Sequence, residues 1–232
     1  MIWNCDDPAA PDLSACGADY PQTVVSLARI DAFEGDLFDE EAAQVAHSVP
    51  SRRREFAAAR TLARRAMGEL GFAHRPIPRR PDRAPVWPPG LVGSLSHCRH
   101  WAAAAVSAGV ASIGIDIECR GRVEPKLFGL VFTAAERGRI ADEAAASALF
   151  SAKEAVFKAV HPLTGKRPEF HEVEIALDMA ANRFAARYSG PDGANAVIDR
   201  LHGRVAVTAD HVLTIAASAF LTNGCVKASG QP

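Results

Sequence analysis

No apolar run in this chain is long enough to span a bilayer. Its start, Met1-Ile2-Trp3-Asn4-Cys5-Asp6-Asp7, has neither the basic opening nor the apolar stretch of a secretory leader. Both absences predict a cytoplasmic protein without membrane insertion. Cysteine is sparse: Cys5, Cys16, Cys98, Cys119 and Cys225 are the only five. None forms a Cys-x-x-Cys pair, and an odd number suits a reducing compartment better than a disulfide framework. The spacing typical of zinc ligands is also missing from the linear sequence. Neither a Gly-x-x-x-x-Gly-Lys loop nor a Gly-x-Gly-x-x-Gly fingerprint occurs, which removes those two routes to ATP or NAD. A formal net charge of -1 gives no global reason to expect nucleic acid.

The informative features are local. Residues 52–83 are strongly basic and residues 31–41 acidic. A basic patch of that kind can bind phosphates in a chain that is neutral overall. With 232 residues, 48% of them hydrophobic, the chain can bury a real core as one large domain or two small ones.

Periodicity orders the elements. Residues 1–20 read as an irregular lead-in, and residues 23–30 as a strand. Residues 39–70 read as helical, broken near Ser48 and Pro50. From about residue 51, Phe56, Ala59, Ala63, Ala66, Met67 and Leu70 share one buried face, and Gly71 supplies a stop. Arg52 and Arg60 fall on the margins of that stripe, where a solvated face explains them less well than it explains Arg54 and Arg65. Residues 75–90, with six prolines, form a loop. Residues 91–96 and 112–118 read as strands, while 101–106 is ambiguous between strand and helix. Residues 133–160 read as helical behind a capping box at Thr133-Ala134-Ala135-Glu136. Short strands follow at 172–177, 184–188, 203–208 and 212–219, then a frayed tail from Asn223. The order strand, long helix, strands occurs twice, which predicts an α+β chain of two similar lobes joined near Ala111.

Three segments carry candidate chemistry. In Gly114-Ile115-Asp116-Ile117-Glu118, the two acids lie two apart on a strand and therefore face one side. Magnesium prefers such oxygen ligands and often takes only one or two carboxylates plus substrate phosphates. A half-buried strand with its polar face in water would show the same alternation. In Phe150-Ser151-Ala152-Lys153-Glu154-Ala155-Val156-Phe157-Lys158-Ala159, Glu154 and Lys158 lie on a polar arc as an i,i+4 pair. Lys153 falls within the apolar arc, where a lysine must snorkel or find an anion, and a phosphate would serve. In Gly93-Ser94-Leu95-Ser96-His97-Cys98, small residues, a hydroxyl and an imidazole at a strand end can bind phosphate oxygens. The same segment could hold a nucleophilic serine or cysteine with a histidine base, although it lacks the Gly-x-Ser-x-Gly elbow.

Taken in order with Arg52-Arg53-Arg54-Glu55-Phe56, Arg60, Arg83-Ala84-Pro85-Val86-Trp87-Pro88 and Pro162-Leu163-Thr164, these stretches resemble the 4′-phosphopantetheinyl transferase superfamily. The likeness is to its two-lobed members, of the enterobactin synthase component D type. It implies a pseudo-dimer of two α+β lobes, 1–111 and 112–222, with the active site between them and a flexible tail at 223–232. It implies transfer of the phosphopantetheine arm of coenzyme A, the co-substrate, to a serine of an apo carrier protein, with release of 3′,5′-ADP. Asp116, Glu118 and Glu154 would hold Mg²⁺, with Mn²⁺ as the alternative ion. Glu154 would also act as general base. Lys158 would assist the leaving group, and Lys153 would add to phosphate binding. Arg52, Arg60, Ser96 and His97 would hold the 3′-phosphoadenosine end. Many relatives carry a lysine before the Trp-Pro, and Arg83 is the nearest cation here. Phe150 stands where many two-lobed relatives have tryptophan, which favours the siderophore-type branch. A chain with both lobes is expected to be a monomer, with siderophore, nonribosomal peptide or polyketide carriers as partners. Two other classes stay consistent with the residues: a non-catalytic coenzyme A or carrier-binding module, and a hydrolase built on Ser96 or Cys98.

Overall fold

Two sheets and two long helices organise the chain. The computed structural model describes residues 1–5, 7–31, 35–191 and 195–218, so the tail expected from Asn223 lies outside the described residues. The elements are β1 (Ile2–Asn4), β2 (Thr23–Arg29), α1 (Asp39–Ala43), α2 (Pro50–Glu69), β3 (Val92–His97), β4 (Trp101–Ser107) and β5 (Ser112–Cys119). They continue as α3 (Phe128–Val131), α4 (Ala134–Arg137), α5 (Glu143–Thr164), β6 (Val173–Asp178), β7 (Arg183–Tyr188), α6 (Asn195–Ile198), β8 (Leu201–Val207) and β9 (His211–Ser218). The first sheet has the order β1-β2-β4-β3 and the second β5-β9-β8-β7-β6.

Alternation along the strands stacks these parts in four layers. Ala102, Ala104 and Val106 of β4 pack with Val24 against Ala58, Leu62, Ala66 and Met67 of α2. The opposite faces of the same strands, with Val25, Ala103 and Ala105, meet Ile113, Ile115, Ile117, Leu213 and Ile215 of the second sheet. The outer face of that sheet, with Val205, Val212 and Ala216, is covered by Ala152, Val156 and Ala159 of α5. The order is helix, sheet, sheet, helix. β4 is buried along its whole length. That explains why residues 101–106 show no alternation: both faces are core, and alanine fits between a helix and a second sheet.

Three expectations change. The lead-in is ordered, because β1 pairs in parallel with β2 and a 3₁₀ turn spans Ser14–Asp19. The stretch expected to be one helix from 133 to 160 is two. Thr133 caps α4 with a full capping box, the chain turns after Gly138, and Asp142 restarts it by accepting the Ala145 N–H at 2.8 Å. α5 then runs past Val160 and Pro162 to Thr164, where Gly165 stops it in the left-handed region at φ 68°.

A buried glutamate anchors each long helix. Glu41 on α1 accepts two bonds from Arg64 of α2, at 2.9 and 2.8 Å, and the Ile77 N–H at 2.7 Å. Glu136 on α4 pairs with Lys153 of α5 at 2.8 Å and accepts the Ile175 N–H at 2.7 Å. Each glutamate also closes a reciprocal bond to the residue before its short helix. The same device therefore appears in both halves, with arginine in one and lysine in the other.

Gly114 sets the distance between α5 and the second sheet. A Cβ there would lie 1.9 Å from the Ala155 carbonyl oxygen and 2.7 Å from the Ala159 nitrogen. The helix backbone rests directly on the strand, so Gly114→Ala is expected to lower stability by at least about 1–3 kcal/mol, the usual cost of overpacking. Urea unfolding of the two proteins measures this, and an unchanged midpoint would mean that α5 can retreat without loss.

Candidate active site

The site grows from the place where the edges of the two sheets meet. β3 and β5 are both edge strands, and an edge leaves backbone groups unpaired. Here serine side chains fill the gap. Ser94 Oγ accepts the Ile115 N–H at 3.0 Å, and Ser96 Oγ accepts the Ile117 N–H at 3.3 Å. Ser96 also donates to Asp116 Oδ1 at 2.9 Å and accepts from Lys158 Nζ at 3.0 Å. That uses the one donor and both acceptor positions of a hydroxyl. Lys158 completes the joint with bonds to Asp116 Oδ1 at 2.6 Å and to the Ile115 carbonyl at 3.1 Å.

Asp116, Glu118, Glu154 and Lys158 face one cavity of about 300 Å³. The opposite wall carries Arg52, Arg60, Arg79, Arg83 and His97. The cavity is therefore acidic on the α5 side and cationic on the α2 side. Asp116 is buried, and its Oδ2 has no hydrogen-bond partner. Glu118 is pushed up to about 8, first by burial and then by the Asp116 charge. Glu154 is raised for the same two reasons, with Lys158 opposing. A buried carboxylate oxygen without a donor, beside two acids that resist ionising together, is a set of hard oxygen ligands suited to a divalent cation. The residues present fit a divalent ion such as magnesium.

Burial also shapes the cationic wall. Arg60 is 7% exposed, and its guanidinium lies over the Phe56 ring. Its pKa is lowered to about 9, foremost by burial, with Glu41 opposing and Arg52, Arg79 and Arg64 adding repulsion. An anion between these guanidiniums would relieve that repulsion. Arg52 pairs with Glu55 at 3.2 Å and donates to His97 Nε2. Burial holds the His97 pKa down, Glu55 acts against it, and Arg52 and Lys158 add to the lowering. Arg83 sits in a tight turn at φ 71° and faces a second cavity of about 440 Å³ that adjoins the first.

The structure thus brings together Asp116, Glu118, Glu154, Lys158, Arg52, Arg60, Arg83, Ser96 and His97. It does not bring Lys153 with them. Lys153 Nζ is fully buried behind α5, on Glu136 and on the carbonyls of Phe170 and Val173 at 2.6 and 2.5 Å. The anion that the apolar arc demanded is a protein carboxylate, so the expected phosphate role is withdrawn. Ser96 is committed to protein partners, and burial raises the Cys98 thiol to about 12. Neither is an available nucleophile, which removes the hydrolase reading. Arg79 and Glu55 line the cavity without having been singled out. Arg79 lay in the proline-rich loop, where no periodicity assigns a direction, and Glu55 stood unremarked inside the arginine run.

A cleft at the joint of two sheets, with carboxylates on one wall and guanidiniums on the other, suits a phosphate-bearing ligand. Comparison with known families gives it a name. Residues 40–107 match the description "4'-phosphopantetheinyl transferase N-terminal domain", and residues 112–216 match "4'-phosphopantetheinyl transferase superfamily". The chain is 42% identical to 4'-phosphopantetheinyl transferase Svp of Streptomyces mobaraensis, over 87% of this chain and 82% of that protein. It is 33% identical to 4'-phosphopantetheinyl transferase PptT of Mycobacterium tuberculosis, over 75% of this chain and 83% of that protein. Enterobactin synthase component D of Escherichia coli O157:H7 shares 38% identity over 50% of this chain and 59% of that protein. Among solved structures, Thermotoga maritima holo-[acyl-carrier-protein] synthase overlaps at a TM-score of 0.39 with 19% identity, covering 48% of this chain and 65% of that one. The chain belongs to the 4′-phosphopantetheinyl transferase superfamily. No helix among the described residues is long and apolar enough to cross a membrane.

Lys153→Met is expected to cost about 3–5 kcal/mol, because it strands Glu136 as a buried charge. Coenzyme A affinity of the folded fraction should be unchanged. Denaturant unfolding and calorimetry together check this, and a large affinity loss with intact stability would return Lys153 to the cleft.

Proposed function

We propose that this enzyme transfers the 4′-phosphopantetheine arm of coenzyme A to a serine of an apo carrier protein and releases 3′,5′-ADP. The observation that carries the reading is the unpartnered, buried Oδ2 of Asp116, set with Glu118 and Glu154 opposite a wall of arginines. Family membership supplies the reaction class, and the geometry supplies roles.

Asp116, Glu118 and Glu154 would hold a divalent ion, Mg²⁺ foremost and Mn²⁺ as the alternative. When bound, such an ion supplies charge neutralisation at pyrophosphate oxygens. The rest falls to the protein. Arg52, Arg60 and Arg79 bind the 3′-phosphoadenosine end, where planar guanidiniums suit phosphate oxygens. His97, held by Arg52 and with its pKa lowered foremost by burial, lies beside them. Arg83 stands where the two cavities adjoin, and the second cavity, with Pro85, Leu95, Phe157 and Phe170, offers an apolar bed for the pantetheine chain.

Glu154 takes the proton from the carrier serine hydroxyl. Glu154 faces the cavity from α5 beside Lys158, where a general base must stand. The serine oxygen forms a bond to the phosphorus that bears the pantetheine. The bond from that phosphorus to the bridging oxygen breaks, and 3′,5′-ADP leaves with the electron pair. Lys158 stabilises the charge that develops there. Ser96 positions both Lys158 and Asp116 and has no hydrogen-bonding capacity left for substrate. Such a transfer rests on positioning and charge stabilisation more than on covalent chemistry.

The carrier belongs to a peptidyl, aryl or acyl class used in siderophore, nonribosomal peptide or polyketide assembly. Phe150 and the relatives named enterobactin synthase component D support the siderophore branch. One chain contains both cleft walls, which supports a monomer.

With Mg²⁺ and coenzyme A, the purified protein is expected to add the arm's mass to an apo carrier domain in intact-mass spectra. Tight coenzyme A binding with no mass gain on any peptidyl or acyl carrier would point instead to a binding module. Glu154→Gln is expected to lower turnover by about 10²–10⁴, the usual worth of general-base catalysis, while calorimetry shows coenzyme A still bound. Equal turnover in that variant would reject Glu154 as the base.

A further inference from the structure

Cys98, Cys119 and His211 are far apart in sequence, yet the fold places two sulfurs and a ring nitrogen within 4.8 Å of one another. The acidic trio is spread more widely around its cavity. Cys119 is the last residue of β5 and His211 the first of β9, and the two are direct cross-strand partners. Cys98 closes the β3–β4 hairpin, where its N–H donates to the Trp101 carbonyl at 2.9 Å. All three positions are pinned. Arg120 N–H binds the Asp210 carbonyl at 2.8 Å, and Thr208 N–H binds the His211 carbonyl at 2.9 Å. Trp101 stands edge-on to the His211 ring, with centroids 6.2 Å apart.

We infer that these three residues form a binding site for a borderline-soft metal ion, with zinc as the expected occupant. Two cysteine sulfurs, deprotonated as the ion binds, and an imidazole are ligands zinc prefers over magnesium. Tetrahedral bonds of about 2.3 Å to sulfur and about 2.0–2.1 Å to nitrogen need the cluster to tighten by only on the order of 1 Å. Three protein ligands leave the fourth position to water. The site is separate from the acidic cavity in chemistry and in place. Successive strand residues point to opposite faces, so Cys119 follows Ile113, Ile115 and Ile117 on the inter-sheet side, while Asp116 and Glu118 face α5. It is close in sequence, however. Cys98 follows His97 and Cys119 follows Glu118, so an ion there ties the first sheet's hairpin to the second sheet's edge one residue from the cleft. Occupancy would therefore stiffen the cleft mouth. This inference does not rest on the transferase reading.

The test uses the full chain, reduced and stripped with chelator, then titrated with Co²⁺. A thiolate-to-cobalt charge-transfer band saturating at one equivalent, and bleached by Zn²⁺, is expected. Cys98→Ser, Cys119→Ser and His211→Gln should each weaken zinc binding by at least about 100-fold, the top of the range seen for mere outer-shell partners. His211 is only partly buried, so its variant keeps a folded protein in the set, checked by circular dichroism. Glu154→Gln, on α5 and away from the seam, should leave the band unchanged. No thiolate band, a band that survives all three substitutions, or one lost in Glu154→Gln would overturn the site. So would loss of two free thiols to a disulfide without metal uptake.

Discussion

The bond between Lys158 and Asp116, made across the seam of two sheets, is the interaction on which the site depends. Two sheet edges lie side by side without pairing as one sheet. Backbone donors of β5 turn to serine hydroxyls on β3, and the ammonium of α5 seals the remaining acceptors. Because a single hydroxyl, Ser96, serves strand, acid and lysine together, none of the three can move alone. The seam is also the floor of the cleft. The same contacts that join the halves therefore fix the spacing of the acidic groups.

Above and below that floor, each long helix is tied down by a buried glutamate. An ion pair of this kind contributes little net stability, since desolvation offsets attraction. Its value lies in direction. Glu41 fixes α2 and the proline-rich loop through Ile77, and so aims Arg60 and Arg79 at the cavity from one side. Glu136 fixes α5 and the start of the strand after it through Ile175, and so aims Glu154 and Lys158 from the other. The two walls are built alike and carry opposite charge.

Much of this was legible in the residues. Alternation in residues 112–118 placed Asp116 and Glu118 on one face, and the helical arc placed Glu154 with Lys158. Both patterns are local, and local geometry alone fixes them. The errors were of a different kind. Lys153 on an apolar arc must snorkel or find an anion, and the anion lies seventeen residues earlier on a separate short helix, a tertiary fact. The paired glutamates went unseen because Arg64 and Lys153 differ in type and in distance from their partners. The β4 stretch gave no period because burial on both sides erases alternation. The break in 133–160 is marked by Gly138 and Asp142, which the good helix formers on either side outweigh in a local reading. Cys98, Cys119 and His211 have no linear spacing at all, since strand register alone brings them together.

The flush contact of α5 on Gly114 bears on how the cleft is built. With backbone resting on backbone, no side chain cushions that helix against its strand at this point. One jaw of the cleft is thus an anvil. The other jaw is built differently: there a side chain, the Trp87 ring, fills the space over Gly93 at the end of the proline-rich loop.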